Sequence, residues 1–273
     1  MGNGLIDNRF RIIMIAGLFM MGVGLFAVLG GFGSGSPDVA EPENGNGNGI
    51  IEQQYENEND SYETDEPDES GGMMTEALRQ DIEAGYLILV NREHGLASDY
   101  APDDLVGIRY FAPDRSAEAR FMRTTAADAF HDLVYAARAE GIEFVMTTAF
   151  RSYSLQTILH NNHVANHGQE AADRFSARAG HSEHQTGLAV DISAASVDYR
   201  LTVDFANTDE GRWVAQNAYH FGFILRYPDW AEHITGFQFE PWHLRYVGLP
   251  AAEYIHANNI TLEEYWELLS NLI

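Results

Sequence analysis

Two short stretches of the sequence bring together side chains that bind metal ions and move protons. One reads SEHQTGLAVD and holds His184 and Asp191; the other reads EPWHLRY and holds Glu240 and His243. Hydrolytic zinc sites use three protein ligands, an open position for water, and a carboxylate outside the ligand set as general base. His184, Asp191 and His243 would supply the ligands of such a site, and Glu240 the base.

The stretch GLAVDI is predicted to be a strand, whose side chains point alternately to its two faces. One face would hold the apolar side chains Leu188, Val190 and Ile192. The other would hold Asp191 with only Gly187 and Ala189 beside it, which leaves space above the carboxylate for an ion or a substrate. The alternative is that Asp191 caps a turn and His184 is merely exposed, because pairs of metal-binding residue types are common by chance. Pro241 interrupts the second stretch, so strand parity does not establish that Glu240 faces the same space.

The elements that would position these residues belong to a predicted domain over residues 74–273. Five apolar runs rich in strand-forming residues predict strands at 86–91, 144–150, 187–192, 223–228 and 242–247. The run TTAADAFHDLVYAARAEG predicts a helix that ends at Gly141. Thr261 and Glu264 predict a capping box at the start of a C-terminal helix, with Ile260 and Tyr265 as its hydrophobic staple. This order predicts an α+β fold, in which helices surround a small, mostly antiparallel sheet bearing the site.

The N-terminal residues have a different composition. Residues 12–32 run for 21 positions without a charge, which as a helix covers the ~30 Å core of a bilayer. Arg9 and Arg11 precede this run and only acidic charges follow it closely, so we expect residues 1–11 to be cytoplasmic and residues 12–33 to form a single-pass membrane anchor. Removal of the run as a signal peptide stays open. Residues 34–73 are predicted to be a disordered acidic linker that holds the domain away from the membrane. The charge bias across the anchor places that domain on the outer side of the cell membrane.

The charge and cysteine content exclude several functions. The formal net charge is -25, and the 16 basic residues are all arginine, so we expect no nucleic-acid partner. The chain has no cysteine, which excludes disulfides, a thiolate nucleophile and sulfur-ligated metals. A metal site would therefore consist of His, Asp or Glu. The sequence implies no protein partner.

The two stretches and two further segments together resemble the VanY-type D-alanyl-D-alanine carboxypeptidases, zinc peptidases of the group that includes lysostaphin-like enzymes and the hedgehog signalling domain. The resemblance extends over about residues 87–268 and includes FRSYSLQ and FSARAGHSEHQ. In these segments Phe150 stands where the family usually has Tyr, and Ala179 where it usually has Pro.

The resemblance implies one Zn²⁺ per chain, bound by His184, Asp191 and His243, with Glu240 as catalytic base. It also implies that Arg151 binds the substrate carboxylate or stabilises the oxyanion, a role that suits a planar guanidinium. The alternative for Arg151 is pairing with an acidic neighbour. The resemblance further implies that the substrate contacts are Arg151, Gln156, Ser176 and Ser182.

The function implied by the resemblance is hydrolysis of the terminal D-alanine from peptidoglycan stem peptides by metal-activated water, without a covalent intermediate. Two alternatives remain open at this level. One is an L,D-carboxypeptidase that trims tetrapeptide stems, and the other is a non-catalytic, zinc-stabilised cell-wall-binding module. Glu240 argues against the binding module, since a pure binder has no need of a general base.

Overall fold

A computed structural model describes residues 75–112 and 117–271. Its helices are α1 (Glu76–Glu83), α2 (Thr124–Ala139), α3 (Tyr153–His167), α4 (Gln169–Phe175), α5 (Asp209–Asn217), α6 (Glu232–Thr235), α7 (Leu249–Asn258) and α8 (Leu262–Ser270). Its strands are β1 (Leu105–Gly107), β2 (Phe121–Arg123), β3 (Val145–Thr148), β4 (Ala189–Ser193), β5 (Phe223–Leu225) and β6 (His243–Tyr246). The predicted anchor and acidic linker lie outside these residues. Within the described ranges, no helix is long and apolar enough to cross a membrane.

The sheet that bears the site has four strands in the order β3-β4-β6-β5, and every neighbouring pair is antiparallel. The predicted small antiparallel sheet is therefore confirmed, and four of the five predicted strands belong to it. Strands β1 and β2 form a separate two-stranded sheet. The sequence did not indicate this pair because each strand has only three residues, too few for a period-2 pattern.

The inner face of β4 packs on the main apolar core, as its alternation predicts. Leu188 and the β4 residues Val190 and Ile192 are fully buried there. Helix α2 covers this core with side chains that recur at helical spacing, namely Ala126, Phe130, Leu133, Val134 and Ala137. The helix ends at Ala139, and Gly141 follows with a φ of 80°, where a side chain would be strained. Asp191 is thereby left on the opposite face of the sheet.

The strand predicted at residues 86–91 does not form. Leu87 and Leu89 are buried in a second apolar cluster, so the alternating pattern does reflect one buried face. The backbone, however, pairs with a side chain instead of a strand: the carbonyl oxygens of Tyr86 and Ile88 accept hydrogen bonds from Arg245 Nη2 at 2.9 and 2.8 Å. Because a guanidinium takes these two carbonyl oxygens, they need no neighbouring strand as hydrogen-bond partner.

The C-terminal helix begins as predicted. The Thr261 side chain accepts from the Glu264 backbone N–H at 3.2 Å, and the Glu264 carboxylate accepts from the Thr261 backbone N–H at 2.8 Å. Ile260 and Tyr265 both pack in the second apolar cluster. Helix α8 is thereby held in this cluster, and its Glu263 pairs with Arg226, the residue that follows β5.

Candidate metal and peptidase site

The structure brings His184, Asp191 and His243 together. One potential ligand atom from each lies within 4.8 Å of the others, and all three residues are buried. Asp191 on β4 lies directly opposite His243 on β6 in the antiparallel ladder, so their side chains leave the same face of the sheet side by side. His184 reaches them from the 3-10 turn Glu183–Thr186 that precedes β4.

The imidazole of His184 is oriented by the backbone. Its Nδ1 donates a hydrogen bond to the carbonyl oxygen of Ala149 at 2.6 Å, so Nε2 is the nitrogen that faces the cluster. That Nε2 lies 3.2 Å from Asp191 Oδ2. Burial lowers the pKa of His184 and the Arg151 charge lowers it further, whereas Asp191 raises it, and the net result is a lowered pKa. A lowered pKa favours the neutral ring that a metal ligand requires.

The imidazole of His243 is oriented by carboxylates. Its Nδ1 lies 2.9 Å from Asp191 Oδ1, and its Nε2 donates to Glu183 Oε2 at 3.4 Å. Burial by itself would lower the pKa of His243, but these hydrogen bonds and the two negative charges raise it to about 9. The contacts of Asp191 with His184 and with His243 together outweigh its burial, so its pKa lies well below its usual range. His243 is therefore held between two carboxylates, which favour its protonated form.

Glu240 faces the cluster, which the strand pattern did not establish. Its Oε2 lies 3.9 Å from His243 Nδ1, because Glu240 and His243 flank a turn in which the His243 N–H donates to the Glu240 carbonyl oxygen. Burial raises the pKa of Glu240 to about 8, and the charge of Asp191 adds to this. A carboxylate with a raised pKa beside a ligand cluster has the properties of a general base.

The residues expected to contact substrate line the same cavity as the cluster. This cavity has a volume of about 470 Å³. Arg151 follows β3 and projects into the cavity, where its Nη1 donates to Gln156 Oε1 at 2.8 Å. Its Nη2 lies 3.9 Å from Asp191 Oδ2, so Arg151 also has the acidic neighbour that the alternative interpretation predicted. Ser176 and Ser182 are buried in the cavity wall.

The small residues of SEHQTGLAVD do not have the role predicted for them. Gly187 precedes β4 with a φ of 68°, and a Cβ there would lie 2.8 Å from Leu105 Cδ2. Ala189 is fully buried and lies opposite Arg245 in the ladder. Neither residue lines the cavity. Gly187 is needed for a left-handed backbone against β1, and Ala189 makes room for a buried arginine.

Sequence reasoning missed Glu183, which lies between two motif residues. It is 1% exposed, and its Oε1 accepts from Arg226 Nε and Arg245 Nη1, both at 2.7 Å. A signal was present, because an arginine occurs within each of the apolar stretches FILRYP and WHLRYV. Buried arginines require anionic partners, so two of them on adjacent segments indicate an unassigned buried carboxylate.

The donor set fits a zinc ion. Zinc is bound by imidazole nitrogen and carboxylate oxygen, and a hydrolytic site leaves one position open. Each histidine has its second ring nitrogen engaged, one by a backbone carbonyl and one by a carboxylate, as is usual for metal-bound histidines. A buried His-Asp-His cluster on an antiparallel sheet, with a glutamate beside it in an open cavity, has the arrangement of a metal-dependent hydrolase.

Comparison with known proteins agrees with this class. The sequence profile of the VanY family, described as D-alanyl-D-alanine carboxypeptidase, matches residues 119–249. YodJ of Bacillus subtilis strain 168, named as a candidate carboxypeptidase, is 43% identical over 187 residues, which are 68% of this chain and 68% of that protein.

Two solved structures are similar as well. The LD-carboxypeptidase LdcB is 44% identical with a TM-score of 0.64, over 67% of this chain and 86% of that chain. A variant of the vancomycin-resistance D,D-pentapeptidase VanY, solved with Zn(II), is 33% identical with a TM-score of 0.54, over 66% of this chain and 98% of that chain. The chain belongs to the VanY family of D-alanyl-D-alanine carboxypeptidases.

Proposed function

We propose that this protein is a zinc-dependent carboxypeptidase that removes the C-terminal D-alanine from peptidoglycan stem peptides. The observation that carries the proposal is that the eight residues assigned to the site all line one cavity. They are His184, Asp191, His243, Glu240, Arg151, Gln156, Ser176 and Ser182. The names of the VanY and LdcB relatives support the carboxypeptidase activity.

The residues have distinct roles in the proposed reaction. One Zn²⁺ held by His184, Asp191 and His243 would acidify water and polarise the scissile carbonyl. Glu240 takes the proton of the attacking water and passes it to the leaving amine. Arg151, steadied by Gln156, binds the terminal carboxylate of the substrate and so requires a free C-terminus.

Two scissile bonds fit this chemistry. The D,D bond of pentapeptide stems is the one that the family description supports. The L,D bond of tetrapeptide stems is the second candidate, and the similarity favours it, because LdcB is 44% identical to this chain and VanY 33%. Both reactions release D-alanine, so the product alone does not distinguish them.

The proposed setting is the outer side of the cell membrane. Its support is the sequence: an uncharged run at residues 12–32 preceded by Arg9 and Arg11, then an acidic segment up to residue 73. This arrangement would hold the catalytic domain on a tether near its substrate. Fractionation of cells that express the full chain, with protease applied from outside, tests this part separately.

The test of the function is D-alanine release from matched pentapeptide and tetrapeptide stems, with zinc content measured on the same sample. We expect one of the two stems to be cleaved preferentially, loss of activity with a chelator, and recovery with Zn²⁺. Cleavage of the tetrapeptide alone would assign the L,D bond. A protein that holds zinc and cleaves neither stem would refute the proposed activity and favour the cell-wall-binding module.

A further inference from the structure

Glu183 is a buried carboxylate for which the proposed reaction has no catalytic use. Its side chain has no solvent exposure, and it lies on the 3-10 turn that also carries His184. Both of its oxygens are engaged: Oε1 accepts from Arg226 and Arg245, and Oε2 accepts from His243. A general base needs a free oxygen, so Glu183 is not a second base, and its burial requires another explanation.

The contact with His243 determines which ring nitrogen is available to a metal. His243 Nδ1 points at Asp191 Oδ1, 2.9 Å away, so Nδ1 is the atom that joins the cluster. A neutral imidazole with Nδ1 as ligand must carry its hydrogen on Nε2. Glu183 Oε2 accepts that hydrogen at 3.4 Å, and both side chains are buried. An acceptor at this position holds the ring in the ligating tautomer and in its orientation.

The two arginines keep the Glu183 carboxylate charged and in place. Arg226 and Arg245 are both fully buried, and they approach the same oxygen from neighbouring segments, Arg245 on β6 and Arg226 just after β5. Burial by itself would raise the pKa of Glu183, but the two guanidinium charges bring it below its usual range. A charged acceptor is the stronger partner for the His243 N–H.

Groups further out hold the arginines in turn. Arg226 makes a bidentate pair with Glu263 on α8, at 2.8 and 2.6 Å. Arg245 Nη2 donates to the carbonyl oxygens of Tyr86 and Ile88. Two arginines and two glutamates balance in charge, so the buried network carries no unpaired ion. It connects the ligand His243 to a helix and a loop that lie outside the cavity.

We propose that Glu183 is a positioning residue of the metal centre, which fixes the tautomer and orientation of His243 and is itself held by Arg226 and Arg245. The inference rests on the proposed zinc site and adds a determinant of zinc affinity to it. Loss of such an outer contact to a ligating histidine lowers metal affinity roughly 10- to 100-fold. We expect a loss of this size when Glu183 no longer reaches His243.

Glu183→Asp is the decisive variant, because it keeps the charge between the arginines while shortening the side chain by about 1.5 Å. Glu263→Gln is the matched control, because it removes a carboxylate from the same network without touching His243. For each full-length protein we would measure the zinc dissociation constant by chelator competition and the melting temperature without metal. The ¹⁵N shifts of the His243 ring in the zinc-loaded protein report which nitrogen binds zinc.

We expect Glu183→Asp to bind zinc 10- to 100-fold more weakly than wild type and to show altered ¹⁵N shifts of the His243 ring. We expect Glu263→Gln to melt at a lower temperature while its zinc affinity stays within about threefold of wild type. Unchanged zinc affinity and ring shifts in Glu183→Asp would overturn the inference. So would losses of zinc affinity in the two variants that scale with their losses of melting temperature, which would show that the network acts through stability alone.

Failure of the inference and failure of the proposed function have different signatures. If the wild-type chain binds no zinc, the proposed metal centre is wrong. If wild type binds zinc and releases D-alanine while Glu183→Asp retains full affinity, only the role of Glu183 is wrong. Should Glu183→Asp fail to fold, Arg245→Lys provides a second variant, since it keeps one charge beside Glu183 but loses the donors to Tyr86 and Ile88. Zinc affinity lowered at least threefold in folded Arg245→Lys supports the inference, and unchanged affinity contradicts it.

Discussion

Replacement of Glu240 by glutamine tests the proposed mechanism most directly. Glutamine has nearly the same shape but cannot accept a proton at neutral pH, and the backbone hydrogen bonds that place residue 240 remain. The three proposed ligands are untouched. We therefore expect zinc to be retained and the loss to fall on kcat, with little change in KM.

The expected magnitude follows from the other carboxylates in the cavity. General-base catalysis contributes about 10²- to 10⁴-fold. Asp191 is engaged by His184 and His243, and Glu183 by two arginines, so neither carboxylate is free to replace Glu240. The loss of kcat in Glu240→Gln should therefore lie in the upper half of that range, at about 10³-fold or more. This is equivalent to about 4 kcal/mol in the activation barrier.

The assay is steady-state D-alanine release at matched zinc content. Glu232→Gln serves as control, because this exposed carboxylate on α6 pairs with Arg174 and lies outside the cavity. Wild-type turnover by zinc-loaded Glu240→Gln would refute the assignment of the base. Equal losses of kcat in Glu240→Gln and Glu232→Gln would show that the effect is not specific to the proposed base.

The metal-free protein provides a second readout for Glu240. Because the folded state raises the pKa of this carboxyl from 4.5 to about 8, it keeps a proton that the unfolded chain releases. Wild type should therefore lose stability as pH rises from about 4.5 to 8. Glu240→Gln removes this contribution, so it should melt higher than wild type at pH 8 and similarly at pH 4.5. A melting temperature with the same pH dependence in both proteins would contradict the raised pKa.

Three further predictions concern substrate binding, metal uptake and folding. Arg151→Lys keeps the charge but loses the fork that binds a carboxylate, so KM for stem peptides should rise about tenfold, as peptide titration would show. His243 has a pKa of about 9 in the metal-free protein and must lose its Nδ1 proton to bind zinc. Zinc affinity should therefore rise about tenfold per pH unit from pH 6.5 to 8. A zinc affinity that does not change with pH in a chelator-competition titration would contradict this. Thr261→Ala removes the α8 capping box and should cost about 1 kcal/mol of unfolding free energy in denaturant titration while leaving zinc affinity unchanged.

Local patterns were sufficient for much of the fold. Helix α2 and the cap of α8 depend on contacts a few residues apart, and β4 shows its buried face in its own alternation. The same logic failed at residues 86–91, where the alternating run begins in a turn and pairs with no strand. The partner of that backbone is Arg245, 157 and 159 positions away along the chain, and no local pattern contains it.

The candidate site, like the fold, could be predicted from the sequence only in part. The types and spacing of His184, Asp191, Glu240 and His243 by themselves indicated a metal centre with a base, since few other uses require that combination. Only the tertiary structure placed Glu240 against the cluster, selected Nδ1 of His243, and showed Glu183 behind it. These features depend on the register of β4 with β6 and on charges that meet across distant segments. A side chain's residue type determines which bonds it can form, but the packing of the whole chain determines which partner it meets.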